Sequence, residues 1–159
     1  MPSENLQDYI YEHIPIVKAN NFRIDEDNEG SILVRGACAD HINHRNTVFG
    51  GSLSTALILT AWANVRKLVA AAGITGEIIV IQSQEVQFSQ PVSRDFVART
   101  LAIPTLVSAK FIDMLRKFGK SRILVEAAVT HGDSSLPLTT FKGNFVVVQG
   151  KATPVDQTR

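Results

Sequence analysis

The chain is poor in the residues that mark several classes of protein. It has one cysteine, Cys38, in 159 residues. That excludes an internal disulfide and a multi-cysteine metal centre, and it suits a reducing cytoplasm. The setting Gly36-Ala37-Cys38-Ala39 reads as core packing more than as a nucleophile. No sign of charge is in excess: 16 Lys and Arg against 15 Asp and Glu give a formal net charge of +1. A dedicated nucleic-acid binder would carry a basic surplus, so no nucleic-acid partner is expected. The N-terminus lacks the basic-then-apolar order of a secretory signal, and a cytoplasmic location is expected. Between Arg45 and Arg66 there is no charged residue, which raises the question of a membrane span. The run also holds Asn46, Thr47, Gly50, Gly51, Ser52, Ser54, Thr55, Thr60 and Asn64. That is too polar for a span, so a buried helix and no membrane span are expected.

What is present predicts one α+β domain. Apolar residues make up 45%, enough for a sizeable core in a chain of this length. The domain is expected over residues 1–148, with 149–159 a loose polar tail. Ser3 is placed as N-cap of a helix over Glu4 to His13, with Leu6, Ile10 and His13 or Ile14 on one face. Pro15 interrupts it, and Ile16 to Ala19 adds a turn. His13 finds no local partner and is read as surface or core. Phe22 to Glu26 and Ser31 to Ala39 form a hairpin through Asp27-Asn28-Glu29-Gly30, with Gly30 at positive φ. The acids Asp25, Glu26, Asp27 and Glu29 lack the spacing of a calcium loop and are read as a solvated turn.

A long apolar helix is predicted from Gly51 to Ala72, stopped by Gly73. Leu53, Leu57, Ile58, Ala61, Trp62, Val65, Leu68 and Val69 cover more than one stripe, so the helix must be wrapped. Arg66 and Lys67 suit its C-terminal dipole. A long strand over Glu77 to Ser89 follows, with Ile78, Val80, Val86 and Phe88 on one face. Gln82, Gln84, Glu85 and Gln87 make it half polar, as at an edge or an interface. Phe96 to Ile103 is the next strand, and Pro104 stops it. Leu106, Val107, Phe111, Met114, Leu115 and Phe118 recur at helical spacing before Gly119. Lys120 to Thr130 and Leu138 to Val148 are the last two strands, joined by a turn at Ser134 to Pro137. No internal repeat is present.

The stretch of chemical interest is the polar loop from Asp40 to Val48, which runs into Gly50-Gly51 at the start of the long helix. The first amides of a helix have no internal partner and sit at the positive end of the macrodipole. Glycine lets a ligand atom approach them closely, which suits a carbonyl oxygen becoming an oxyanion. Two glycines equally make a plain tight turn. Asn46 tolerates left-handed φ and would let the chain turn before the helix. His41 and His44, three apart with no third ligand, are too little for a metal site, and none is expected.

The segment Asn43-His44-Arg45-Asn46-Thr47-Val48-Phe49-Gly50-Gly51 resembles the pattern of the hot-dog fold thioesterases: Asn, His, any residue, Gly, two residues, His, Gly, Gly. Phe88-Ser89-Gln90-Pro91-Val92 resembles their later strand end of aromatic, two residues, Pro. The order of elements agrees from Phe22 to Val148. Within the superfamily the likeness is greatest to the thioesterase-like domain that follows an N-acetyltransferase domain in some bacterial proteins, the YiiD C-terminal family, and a stand-alone form of it is expected. The resemblance implies a hot-dog fold, an antiparallel sheet of about six strands around a central helix. It implies a site between the two chains of a homodimer or dimer of dimers. The substrate it implies is a thioester of coenzyme A or acyl carrier protein, with no cofactor beyond the coenzyme A or phosphopantetheine of the substrate.

By the same resemblance the amide of Gly50 or Gly51 holds the thioester oxygen, and Asn43 falls on the family's asparagine. Asn46 replaces a glycine and Phe49 a histidine. Asn43, Asn46, Thr47 and Thr55 can orient a substrate, beside His44 and Phe49 of the motif. Such enzymes often carry an acid seven residues after the second glycine; here Ile58 stands there, and Leu53 to Val65 contains neither carboxylate nor histidine. A base must then be Glu85, Asp40 or a loop histidine, or be absent. Glu85 is the candidate by elimination, against an exposed or salt-bridged glutamate. Arg116, Lys117, Lys120 and Arg122 give four positive charges in seven residues. They are read as holding phosphates or an acidic carrier, against a solvated basic helix end. Thioester hydrolysis, in fatty acid metabolism, is the first reading. Decarboxylation of a malonyl thioester is the second, since it needs the oxyanion site but no base for water. A non-catalytic acyl-thioester binding module is the third, and a dehydratase the last, because the helix lacks an acid.

Overall fold

A computed structural model describes residues 5–132 and 134–150. The first helix, α1 (Leu6–His13), is capped by Asn5, whose Oδ1 accepts from the Gln7 amide at 3.0 Å. The expected cap, Ser3, lies outside the described residues, as does Glu4. Pro15 opens a five-residue helix α2 (Pro15–Ala19), where its missing N–H costs nothing. His13 is exposed and stacks on Tyr9. The strands are β1 (Arg23–Glu26), β2 (Ile32–Gly36), β3 (Glu77–Phe88), β4 (Phe96–Thr100), β5 (Lys120–Thr130) and β6 (Thr139–Gln149). The long helix is α3 (Gly50–Ala71), and α4 (Thr105–Phe118) is inserted between β4 and β5. Gly30, Gly73 and Gly119 all take positive φ at the expected stops.

The six strands form one antiparallel sheet in the order β1-β2-β4-β5-β6-β3. Its inner face packs on α3. Leu53, Leu57, Val65 and Val69 of α3 meet Val34, Phe96, Val125, Phe141 and Phe145 of the sheet in one buried cluster. Polar groups fix the helix on β2. The Thr60 hydroxyl donates to the Ile32 carbonyl at 2.7 Å. The Asn64 side chain accepts from the Ile32 amide at 2.9 Å and donates to its carbonyl at 2.9 Å. These polar groups between helix and sheet are thus paired with one another, which lowers the cost of placing them in a low-dielectric interior. This is the hot-dog arrangement that the resemblance implies.

Several local expectations need correction. The return strand ends at Gly36 rather than Ala39, because a 3₁₀ turn at Cys38–Asp40 replaces its last residues. The Cys38 amide there donates to Asp95 Oδ1 at 2.8 Å, and the residue packs half-buried against the core. The strand after Pro91 ends at Thr100 rather than Ile103. Arg66 and Lys67 do not serve the helix dipole. Arg66 lies 4.1 Å from the Tyr9 ring centroid and 3.9 Å from Glu77, and Lys67 bonds Glu26 and the Gly30 carbonyl. The last strand runs one residue further, to Gln149, and residues 151–159 of the expected tail lie outside the described residues.

The largest correction concerns β3, which is an edge strand as its half-polar sequence predicts. Its apolar residues do not share one face. The register with β6 shifts between Ile81 and Ser83. One extra residue in a strand flips every side chain beyond it. Before the bulge, Ile79 and Ile81 pair with the buried Val147 and Phe145 and face inward, while Ile78 and Val80 face out at 51% and 50% exposure. After it, Val86 pairs with the buried Phe141, and Phe88 with the buried Thr139, so both face inward. No helix among the described residues is long and apolar enough to cross a membrane.

Candidate active site at the glycine pair

Asn43 organises the loop before α3. Its Oδ1 accepts from the Arg45 amide at 2.8 Å, the Thr47 amide at 3.3 Å and the Thr47 hydroxyl at 3.3 Å. Its own amide donates to the Thr47 carbonyl at 2.8 Å, and its carbonyl accepts from the Asn46 amide at 3.1 Å. The tight turn needs a left-handed residue, and Asn46 supplies it at φ 59°. His44 and Asn46 are exposed at the tip. The loop is then pinned at its exit: the Val48 amide donates to the Val92 carbonyl at 2.7 Å, and the Phe49 amide to the His41 carbonyl at 2.8 Å.

His41 is the pivot under this loop. It is buried, stacked on Phe22 with ring centroids 4.5 Å apart and edge-on to Phe96 at 5.6 Å. Neither ring nitrogen has a hydrogen-bond partner. Burial pushes its pKa below the usual 6.5, because the charged ring would lose its hydration; the negative charge of Asp40 and the Asn20 carbonyl pull the other way. No three His, Cys, Asp or Glu side chains among the described residues gather as a metal site.

Phe49 is the N-cap of α3, and its carbonyl accepts from the Ser52 and Leu53 amides at 3.0 and 3.2 Å. The amides of Gly50 and Gly51 come before the first residue that can close on a helical carbonyl. Two rings stand against them. A β-carbon at Gly51 would collide with the Phe49 ring, and one at Gly50 would lie 3.3 Å from Phe88 Cε1. Both rings remain half-exposed, Phe49 at 58% and Phe88 at 55%. Beside them opens a cavity of about 310 Å³, bounded by Thr47, Gly50, Leu53, Phe88, Pro91 and Val92 among others. A bare helix N-terminus with Gly50 on the wall of a mostly apolar cavity suits an oxygen that gains negative charge. One turn on, the Thr55 hydroxyl donates to the Gly51 carbonyl at 2.9 Å. Ile58 and Trp62 continue that side of α3 half-buried, and Trp62 Nε1 donates to the Ile79 carbonyl at 3.3 Å.

The structure thus brings together Asn43, Asn46, Thr47, Phe49, Gly50, Gly51 and Thr55. It does not bring Glu85 to them. Glu85 lies directly opposite Lys142, which bridges Glu126 at 3.3 Å on the outer face of the sheet. Gln87 donates to Glu85 at 3.2 Å. Three residues on, Phe88 faces inward, so Glu85 and the glycine pair lie on opposite faces.

The basic segment is also divided. Arg116 donates to the Ala72 carbonyl at 2.8 Å and so caps the far end of α3. Lys117 lies 5.1 Å from the Phe118 ring centroid. Lys120 and Arg122 stand opposite Val148 and Val146 on the outer face. All four belong to the C-terminal end of α3. The glycine pair is at the other end of a 22-residue helix, a span of about 33 Å. Sequence reasoning did not place Phe88 beside the glycine pair, and it weighed His41 only as a metal ligand or a loop base, not as a buried ring under the loop. The aromatic-two residues-Pro strand end was the signal for Phe88. Nothing in the spacing of His41 announced its burial.

Solved structures share this fold at low identity. A protein of unknown function from Chlorobaculum tepidum TLS matches with a TM-score of 0.83 and 24% identity over 91% of this chain and 93% of that one. A Shewanella oneidensis protein described as a "putative thioesterase" matches at 0.77 and 22%, over 90% and 94%. The BH2602 protein of Bacillus halodurans, whose crystal structure is with CoA, matches at 0.63 and 17%, over 94% and 99%. The family model described as "Putative thioesterase (yiiD_Cterm)" covers residues 3–149, with the Asn43–Gly51 loop and the whole sheet inside it. The chain with this glycine-led helix therefore belongs to the YiiD C-terminal thioesterase family.

Proposed function

We propose that this protein hydrolyses an acyl thioester of coenzyme A or of acyl carrier protein. The observation that carries the reading is the pair of uncapped amides at Gly50 and Gly51, at the positive end of a long helix, with Gly50 on the wall of a mostly apolar cavity. Water attack on a thioester carbonyl places negative charge on its oxygen. Amide donors already in position stabilise that charge without reorganising, and removing one such donor typically costs about 10²–10³ in turnover. The bond to sulfur then breaks, releasing a thiol and an acid. Asn43 acts as a positioning residue, since its side chain is spent on the loop. Asn46, His44, Thr47 and Thr55 are the polar groups left to orient the substrate.

The reading includes a second copy of the chain. β3 is an open edge of 12 residues. Antiparallel pairing of two such edges would run their α3 helices in opposite directions. The end carrying Arg116, Lys117, Lys120 and Arg122 in one copy would then approach the glycine pair of the other. That is where phosphates of coenzyme A, or an acidic carrier, would need positive charge.

A second reading is favoured by one observation. Neither a carboxylate nor a histidine lies on α3, and Glu85 faces away from the cavity. Decarboxylation of a malonyl thioester needs no base to activate water. The bond to the carboxylate breaks, carbon dioxide leaves, and the enolate oxygen is held by the same amides until the carbon takes up a proton. One experiment tests both: incubate the protein with acyl and malonyl thioesters of coenzyme A and carrier protein, and identify products by mass spectrometry. Free thiol with the intact acid supports hydrolysis. Carbon dioxide with an acetyl thioester supports decarboxylation. Binding without either product leaves an acyl-thioester binding module.

A further inference from the structure

Two phenylalanines that the chemistry above does not use pack beside the glycine pair. Phe49 comes from the loop and lies against Gly51. Phe88 comes from the end of β3 and lies against Gly50. Phe88 lines the cavity, and both rings are left more than half exposed, so neither has the burial that would explain it as core. Their positions are also tightly specified. Gly51 tolerates no side chain beneath the Phe49 ring as it stands, and Gly50 leaves one methyl's breadth before Phe88. Phe88 reaches this place only because the β3 bulge turns it inward.

We infer that Phe49 and Phe88 clamp the acyl group against the two amides, and that Phe88 sets its length, restricting the site to short acyl thioesters. This rests on the thioester reading above. The cavity beside Gly50 is about 310 Å³, at the floor of the roughly 300–1,000 Å³ range of small-molecule sites. Leu53, Val92 and Pro91 line it, and Phe88 closes one side. Leu53 and Val92 are buried in the core and cannot withdraw, so the half-exposed Phe88 ring is the wall that a longer chain would have to displace. Each methylene gained or lost in an apolar pocket changes discrimination by roughly 10–200-fold.

The test uses the whole protein and two readouts. Turnover is measured on straight-chain acyl-coenzyme A thioesters of two to twelve carbons. Binding is measured by calorimetry with S-(2-oxoalkyl)-coenzyme A thioethers of the same lengths, which keep a carbonyl but cannot be cleaved between sulfur and carbonyl. The native protein should prefer the shortest members. Phe88→Ala should move the preferred length up by two or more carbons, raise affinity for the eight-carbon analogue at least tenfold, and leave the melting temperature nearly unchanged. Phe88→Leu should sit between the two, and Phe88→Trp should tighten the limit. Phe49→Ala should weaken all lengths alike. Length-dependent binding that responds to Phe88 supports the clamp even if no thioester is turned over, in which case hydrolysis alone falls. Binding with no dependence on length, or a profile unmoved by Phe88→Ala, overturns the clamp and leaves the thioester reading standing. If no analogue binds at any length, whether carried on coenzyme A or on the phosphopantetheine of carrier protein, both are overturned.

Discussion

The two ends of α3 are built on opposite plans. At its C-terminal end, the Ala72 and Gly73 amides close on the Leu68, Val69 and Ala70 carbonyls, and charged side chains pack around the turn. Arg116 donates to the Ala72 carbonyl, Arg66 lies between the Tyr9 ring and Glu77, and Lys67 ties Glu26 to the Gly30 turn. Gly73 at positive φ then turns the chain away. At its N-terminal end no side chain caps the helix, and the first two residues have no side chains at all. Both ends begin with the same deficit, four orphan backbone groups. One end meets it with backbone amides and the Arg116 guanidinium, which is a stability device. The other leaves it unmet beside a cavity, which suits the binding proposed for it. A helix whose orphan amides are left open where a cap would stabilise it by about 1 kcal/mol gives up stability at the place where a ligand is to be held.

The contrast can be broken from either end. The largest effect is expected at Gly51→Ala. The added methyl meets the Phe49 ring, which must swing aside and disturb the groups around the opening amides. Turnover should fall on the order of 10²-fold, the loss typical of disturbing one oxyanion donor. The melting temperature should hold or rise, since alanine is favoured over glycine in a helix. Unchanged kinetics in this variant would mean the open end is only a turn. At the other end the signature should reverse. Arg116→Ala frees the Ala72 carbonyl and should lower stability by about 1 kcal/mol in denaturant titration. Any change in apparent KM on top of that would show that the basic segment also meets the substrate.

The pivot beneath the loop gives a sharper, pH-dependent contrast. His41 has a lowered pKa in the folded chain and the ordinary value of 6.5 once unfolded. Between these two values the unfolded chain binds a proton that the folded chain does not. Stability from this residue is therefore whole above about pH 6.5 and is lost as pH falls toward the folded value. His41→Phe keeps a ring between Phe22 and Phe96 and should flatten the stability profile between pH 7 and pH 5. A profile unchanged by the substitution would assign the acid sensitivity elsewhere. The smallest effect is expected at Glu85→Gln. A base for water would cost roughly 10²–10⁴-fold on removal. From the outer face Glu85 should change turnover by less than about twofold, and a large loss would bring it back as a base supplied across two copies.

How much of this was legible in the sequence depends on which kind of signal each feature uses. The start of α3 at the glycine pair, its stop at Gly73, the helix closed by Gly119 and the span of β5 are all set by local chemistry, and all stand where the residues place them. The left-handed Asn46 belongs to the same class. What was not legible depends on parity or on distant partners. The bulge in β3 has no residue signature of its own, so the faces of Ile78, Val80 and Glu85 could not be read by counting alternate residues. The basic run from Arg116 to Arg122 looks like one patch because it is contiguous. A helix end, a glycine turn and a strand with period two send its members to different surfaces. His41 differs from His44 only in what packs on it, and Phe22 and Phe96 come from two other parts of the chain.

The shift in β3 also gives that strand something like a reading frame. Five pairs with β6 lie on one side of it, from Glu77 to Ile81, and six on the other, from Ser83 to Phe88. Each block is in phase with the core on its own terms, and Gln82 is the spacer between the phases. Side chains along β3 can be exchanged one at a time without disturbing their neighbours' facing. The number of residues cannot. Losing one near Gln82 would act as a frameshift does in a message: either Ile79 and Ile81 keep their places and Phe88 is turned outward, or Phe88 keeps its place and Ile78 and Val80 are driven into the core. The strand thus tolerates respelling but not recounting, and the wall of the cavity depends on the count.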